Sequence, residues 1–447
     1  MSELVQEAPA KGADPRLFSP GYRAYATLLM AMVFALASAD RSIMSILLVP
    51  IQKDFGVSDT AMGALAGTVF TVVYATAALP LARLADLGNR KNLIAAAVAF
   101  WSIMTALCGL ATSIFTLLLA RIGVAAGEAA HSPGVMSTVG DLFPRHRRGL
   151  AFGCISMGTA VGSGLGAAVV GKISDLHGWR AAFLAMGLPG LVVGALLVLT
   201  VTEPRRGVYD GGAPPKVQST LACIRYIFGI STVRRIILAL MVWQFGTGAF
   251  VLWVPAFFIR IHHLTTAQMS LGYGAALGSG SALACLFVGL FTDTLSKFGE
   301  RWRARYCGFI VVAGVPFVLL MLLSPNALVG FFALFAAMLL GGGTSSGATV
   351  AYLSVIRSDV RGLAGAVIGF ILAVIGLGLG PLVLGVVNDL LKRDFGTQAV
   401  KYSLLAIPVI WIAAGALFYF ASFSADKDLA RLLGSTGEGP EVGETAA

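Results

Sequence analysis

The sequence predicts an all-α polytopic membrane protein with twelve transmembrane helices in two pseudo-symmetric six-helix bundles. Three observations carry that prediction. Of the 447 residues, 57% are hydrophobic and only 12% are charged, about half the charge density of an ordinary soluble domain. Apolar runs of roughly 20 residues, each long enough to cross a bilayer core, recur along the whole length. The chain also repeats itself. "SDTAMGALAG" opens at Ser58 and reaches Asp86 after 28 residues, and "TTAQMSLGYG" opens at Thr265 and reaches Asp293 after 28. "RGLA" opens the fifth run at Arg148 and the eleventh at Arg361. The weak ten-residue alternation of a membrane β-barrel is absent.

In order, residues 1–20 form a polar N-terminal tail, read as disordered. Spans at roughly 23–50, 58–84, 92–112, 114–141, 149–172 and 181–202 make the first bundle, 21–203. The connector 204–232 comes next, with the Gly/Pro-rich "TEPRRGVYDGGAPPKVQS". Spans at 234–259, 266–292, 304–323, 326–356, 362–388 and 400–422 make the second bundle, 233–423, and a polar tail, 424–447, again read as disordered, closes the chain. The first apolar run lacks a signal-peptide cleavage pattern and is expected to stay in the membrane. With both tails and the connector cytoplasmic, that side holds 23 of the 32 Lys and Arg residues and the far side 7, so the positive-inside bias puts both termini in the cytoplasm.

This reading excludes several classes. The net charge of +10 is spread over short loops, not gathered in a folded basic domain, so nucleic acid is not a partner. The five cysteines have no paired spacing, which argues against disulfides and metal sites. No nucleophile or metal-ligand motif marks an enzyme, and no cofactor is implied. The glycine-dense "GTAVGSGLGAAVVG" (158–171) lacks the Gly-Lys-Ser/Thr and the preceding strand of a phosphate loop. With its counterpart "GLGLGPLVLG" (376–385) it reads as close helix packing that permits rocking.

Chemistry concentrates where charge interrupts apolar sequence. Asp40 and Arg41 sit between "YATLLMAMVFALASA" and "SIMSILLVP". In "LLLARIGVAAGEAAHSP" (117–133), Arg121 and Glu128 are seven apart and share one helix face, with His131 three residues further on. Charges at such depth face an aqueous cavity or pair with each other. Asp40 and Arg41 point about 100° apart and do not face one another. The fourth span offers Glu128 for Arg41 and Arg121 for Asp40. For His131, a packed histidine and a titrating one are both open readings. Ionised, Asp40, Arg41, Arg121 and Glu128 sum to zero. Protonating one acid leaves +1, which attracts an anionic headgroup or loosens an ion pair. In the second half, Trp243, Gln244, Thr247, Ser345 and Ser346 put polar groups on otherwise apolar helices and read equally well as cavity wall or as inter-helix hydrogen bonding.

"LARLADLGNRKN" (81–92), joining the second and third spans, resembles the helix 2–3 signature of the major facilitator superfamily, Gly-x-x-x-Asp-Arg-x-Gly-Arg-Arg. Asp86, Arg90 and Lys91 match it, whereas Ala82, Leu87 and Asn89 depart from it. Asp293 in "GLFTDTLSKFGERWR" echoes the acid in the second half. The resemblance implies a conformational gate at Asp86, Arg90, Lys91 and Asp293. "DRSIMSILLVPIQKDFGVSDTAMGALAG", "WSIMTALCGLA", "LLLARIGVAAGEA" and "DLFPRHRRGLAFG" extend the resemblance to the spinster-like branch, whose members are linked to sphingosine 1-phosphate or lysophospholipid export. It implies a major facilitator fold and proton coupling at Asp40 and Glu128, with Arg41, Arg121 and His131 as charged partners or substrate contacts. The expected activity is alternating-access transport of an amphipathic or lipid-like molecule by a monomer in a bacterial-type inner membrane, with protons and substrate as partners. A proton-independent facilitator of small organic anions or drugs is the alternative.

Overall fold

The computed structural model describes residues 13–209, 220–296, 298–357 and 360–436. Nine helical segments among the described residues are long and apolar enough to cross a membrane. Two of them are double: His146–Thr200 has 55 residues and Arg361–Leu432 has 72, where one crossing takes about 20. Thr266–Ser296, 31 residues long, adds one more. The twelve-span, all-helical architecture expected from the sequence is thereby accounted for.

The chain runs α1 (Pro20–Phe55), α2 (Asp59–Gly63), a π-helical turn (Ala64–Val69), α3 (Phe70–Leu87), α4 (Arg90–Gly109), α5 (Ile114–Glu128), α6 (His131–Leu142) and α7 (Arg145–Thr200). It continues with α8 (Thr220–Gly229), α9 (Ser231–His262), α10 (Thr266–Ser296), α11 (Arg301–Leu323), α12 (Ala327–Gly341) and α13 (Thr344–Leu353). Last come α14 (Arg361–Ile371), a second π-helical turn (Leu372–Gly378), α15 (Leu379–Phe395), α16 (Ala399–Leu404) and α17 (Ala406–Thr436). Two local rules set the first and the fifth boundaries. Ser19 caps α1 by accepting from the Tyr22 N–H, and Gly56 ends it at φ 65°, the left-handed stop that glycine supplies without steric cost. Inside α7 the fifth and sixth spans meet at Gly178, whose φ of 83° breaks the helix. A side chain there would be strained.

The chain divides into two compact units, Met1–Pro214 with Val254–Gly278, and Pro215–Trp253 with Ser279–Ala447. In the first, α1 lies against the first half of α7 along a glycine stripe. A Cβ on Gly158, Gly162 or Gly166 would stand 2.3 Å from the Ala31 carbonyl oxygen, 2.0 Å from that of Ala35 and 2.6 Å from the Ala39 Cβ. The next face of α7 meets α10, where a Cβ on Gly274 would lie 2.6 Å from the Gly164 carbonyl oxygen. The "GTAVGSGLG" run is thus a two-sided contact, as small residues in a membrane helix allow. Gly162→Val is expected to destabilise the protein by about 2 kcal/mol or more, since the two backbones must separate. Gly153→Ala, with open space around it, is the control, and thermal melts in detergent check both.

In the second unit Trp411 of α17 is the central side chain. It packs on Phe250 with ring centroids 5.6 Å apart and faces Gly246, Gly314 and Gly341, which leave room for its ring. The helix α17 continues to Thr436, so residues 424–436 are helical where a disordered tail was expected. Here Asp426 accepts from the Arg301 N–H at 3.2 Å, and Asp428 accepts from the Thr232 N–H at 2.8 Å and its hydroxyl at 2.7 Å. Asp428 thereby satisfies the start of α9, where N–H groups otherwise lack partners. At the other tail, Ala13 pairs with the 203–205 segment through two backbone hydrogen bonds of 2.9 and 2.8 Å. Within the connector, α8 is helical and 210–219 lie outside the described residues.

Candidate functional site

Asp40 and Arg41 occupy the middle of α1, and Arg121 and Glu128 lie two turns apart on α5. The structure joins them in part. Arg41 Nη1 donates to Glu128 Oε1 at 2.9 Å. Glu128 is wholly buried, and the Arg41 side chain is 40% exposed. The pair therefore has one dry and one accessible member. Glu128 Oε2 is buried without a hydrogen-bond partner. Asp40 is also buried, and its carboxylate accepts from the Thr105 hydroxyl of α4 at 3.2 Å. Arg121 is 1% exposed, yet its Nε and Nη1 have no partner. Its guanidinium lies over the Phe70 ring, 4.7 Å from the centroid. Of the two inter-helix pairings offered by the sequence, Arg41 with Glu128 forms. Among the described residues no carboxylate pairs with Arg121. Thr105 takes the place beside Asp40.

The residues after Glu128 explain why α5 stops there. Pro133 lacks the N–H that the Ala129 carbonyl would use, so the helix restarts at His131 as α6. The Glu128 carbonyl then accepts from His131 Nδ1. The imidazole is buried, edge-on to Phe34 at 4.8 Å and to Trp101 at 5.7 Å. This geometry suits a packed histidine that fixes the α5–α6 break beside Glu128.

The α3–α4 loop builds a second charged cluster. Arg90, the first residue of α4, is fully buried. It pairs with Asp141, donates to Glu203 Oε1 at 2.7 Å and to the Pro204 carbonyl at 2.8 Å, and reaches the Ser137 hydroxyl at 2.9 Å. Lys91 contributes its backbone N–H to Glu203 at 2.8 Å and its ammonium to the Val198 carbonyl at 3.2 Å. The side chains of Asp86 and Asp293 lie outside the described residues. The described acids at this cluster are Asp141, near the end of α6, and Glu203, just after α7, neither of which the sequence reading singled out.

A third cluster, also missed, lies in the first unit at the start of α2. Arg260 donates to the buried Asp59 carboxylate at 2.7 and 2.8 Å and to Gln52 Oε1 at 2.6 Å. In the second unit, Trp243 and Thr247 stand one turn apart on α9. The Trp243 indole N–H and the Thr247 hydroxyl are buried without partners. Gln244 is buried beside Gly376. On α13, Ser345 is half-buried and Ser346 exposed. No group of three or more potential metal ligands occurs among the described residues.

Residues 30–381 match the family model described as Major Facilitator Superfamily. An "MFS-type efflux pump" of Mycolicibacterium smegmatis is 30% identical, over 89% of this chain and 92% of its own. The sphingosine-1-phosphate transporter SPNS2 of Danio rerio is 26% identical, over 94% and 90%. Among solved structures, a bacterial homolog of the human lysosomal transporter Spinster superposes in its inward-facing, unoccupied form with a TM-score of 0.82 at 25% identity, covering 92% of this chain and 99% of its own. Its inward-facing, occupied form gives 0.78 at 26% identity.

Proposed function

The chain belongs to the major facilitator superfamily and is a membrane transporter, and we propose that it is a proton-coupled secondary active transporter of amphipathic molecules with an anionic or zwitterionic head. The observation that carries this reading is the buried set on α1 and α5: two carboxylates and two arginines of zero net charge, only one pair of which is joined. Asp40, held by a neutral Thr105 hydroxyl, is the group that takes the proton, and Glu128 is the acid that answers through Arg41. Protonation leaves +1 on the set, and that surplus either recruits the head or releases the Arg41–Glu128 pair. The two bundles rock to expose the site alternately, with the Arg90–Lys91 cluster gating one face. A sphingolipid or lysolipid is the substrate class, a reading supported by the relatives named as sphingosine-1-phosphate transporters. The protein works as a monomer in a bacterial-type inner membrane with both termini cytoplasmic, in keeping with the distribution of its basic residues.

A proton-independent facilitator or exchanger of small organic anions or drugs is the alternative reading. Uptake of a radiolabelled lysolipid into proteoliposomes with and without an imposed pH gradient separates the two. One proton per cycle is expected to give about tenfold accumulation per pH unit, abolished by a protonophore. Equal uptake under both conditions supports the second reading.

A further inference from the structure

Phe70 sits where the second span changes its helical phase. The π-helical turn Ala64–Val69 ends immediately before it. Such a turn carries one residue more than an α-helical turn and rotates the rest of the helix by about 100°. That rotation presents Phe70, buried and stacked on Tyr74 with 6.3 Å between ring centroids, to α5. There the ring face meets the Arg121 guanidinium. The electron-rich face of an aromatic ring attracts a cation without consuming its N–H donors. This accounts for a buried arginine whose Nε and Nη1 remain unpartnered in the same charge set as two carboxylates. Asp40 is held by Thr105, and one oxygen of Glu128 is held by Arg41.

We propose that Phe70 is a positioning residue that holds Arg121 off the carboxylates, so that its N–H donors stay available to the phosphate or carboxylate of an anionic substrate. This rests on the anionic-head reading above. Without the ring, Arg121 would settle on Glu128 Oε2 or Asp40 and the set would close into two internal pairs.

Binding is measured on the full chain in detergent with three probes: dodecyl phosphate, inorganic phosphate and the neutral 1-O-dodecylglycerol. The wild type is expected to bind dodecyl phosphate at least tenfold more tightly than the neutral lipid. Phe70→Leu should lose that tenfold with the neutral lipid unchanged, and Phe70→Trp should restore it. Inorganic phosphate binding as tightly as dodecyl phosphate, and weakened at least tenfold in Phe70→Leu, would support Phe70's role but refute an amphipathic substrate. Ligand-free melts make the readout independent of the substrate. Phe70→Leu should lower Tm by clearly less in Arg121→Leu than in the wild type. Additive Tm changes, or unchanged phosphate binding in Phe70→Leu, would overturn the proposal. Coupled melts with no anion preference in the wild type would overturn the specificity role and the anionic-head reading together, leaving the ring contact as packing.

Discussion

Asp40→Asn is expected to abolish accumulation driven by a pH gradient while preserving the fold. Asparagine matches aspartate in shape, and its carbonyl oxygen can still accept the hydrogen bond that Thr105 gives Asp40 at 3.2 Å. What changes is charge. The set on α1 and α5 becomes fixed at +1, the value it takes when Asp40 is protonated, and the transporter loses the difference between its two proton states. Downhill exchange should persist at a measurable rate, whereas uphill transport should fall at least tenfold, to the level of liposomes clamped at equal pH. Glu128→Gln provides the contrast. It removes the charge partner of Arg41 and should impair substrate exchange as well as coupling. An Asp40→Asn protein that still accumulates substrate under an imposed pH gradient, above the level of liposomes clamped at equal pH, would take the proton site away from Asp40.

Arg90→Met should have the largest effect on stability. The guanidinium is fully buried and serves Asp141, Glu203, Ser137 and Pro204 at once. Removing it leaves two carboxylates, each 12% exposed, with their charge uncompensated. Breaking one side of a buried ion pair costs about 3–5 kcal/mol. Because Glu203 also receives the Lys91 N–H and the segment behind it pairs with Ala13, the end of the sixth span should loosen too. Arg90→Lys restores charge but not the planar fork and should recover only part. Denaturant unfolding in detergent measures both, and a loss below about 1 kcal/mol for Arg90→Met would contradict the network.

The fold was legible because hydropathy is a bulk property: long apolar runs and the Asp86/Asp293 spacing required no side-chain detail. The four charges were legible for the same reason, since Asp40, Arg41, Arg121 and Glu128 stand out in apolar sequence. Their partners were not. Thr105 looks like any threonine on a membrane helix, where the hydroxyl ordinarily bonds back four residues, as Thr71 does to the Gly67 carbonyl. That Thr105 instead reaches Asp40 is decided by the packing of α4 on α1. Phe70 was invisible because a π-helical turn leaves no periodicity to read in so apolar a segment. Asp141 and Glu203 lie at the ends of the fourth and sixth spans, and their common partner Arg90 is 51 and 113 residues away, too far for any local pattern to link them. The helical end of the chain rests on long-range contacts, Asp428 and Ser424 on Thr232 and Asp426 on Arg301, that no local pattern encodes.

In the proposed mechanism, substrate and proton move through one charge set. Sealed proteoliposomes carrying a luminal pH dye, with membrane potential clamped by potassium and valinomycin, test it directly. Starting at equal pH, addition of dodecyl phosphate or a lysolipid should drive a proton flux that stops in Asp40→Asn. Substrate movement with no accompanying change in luminal pH would rule out proton coupling at this site.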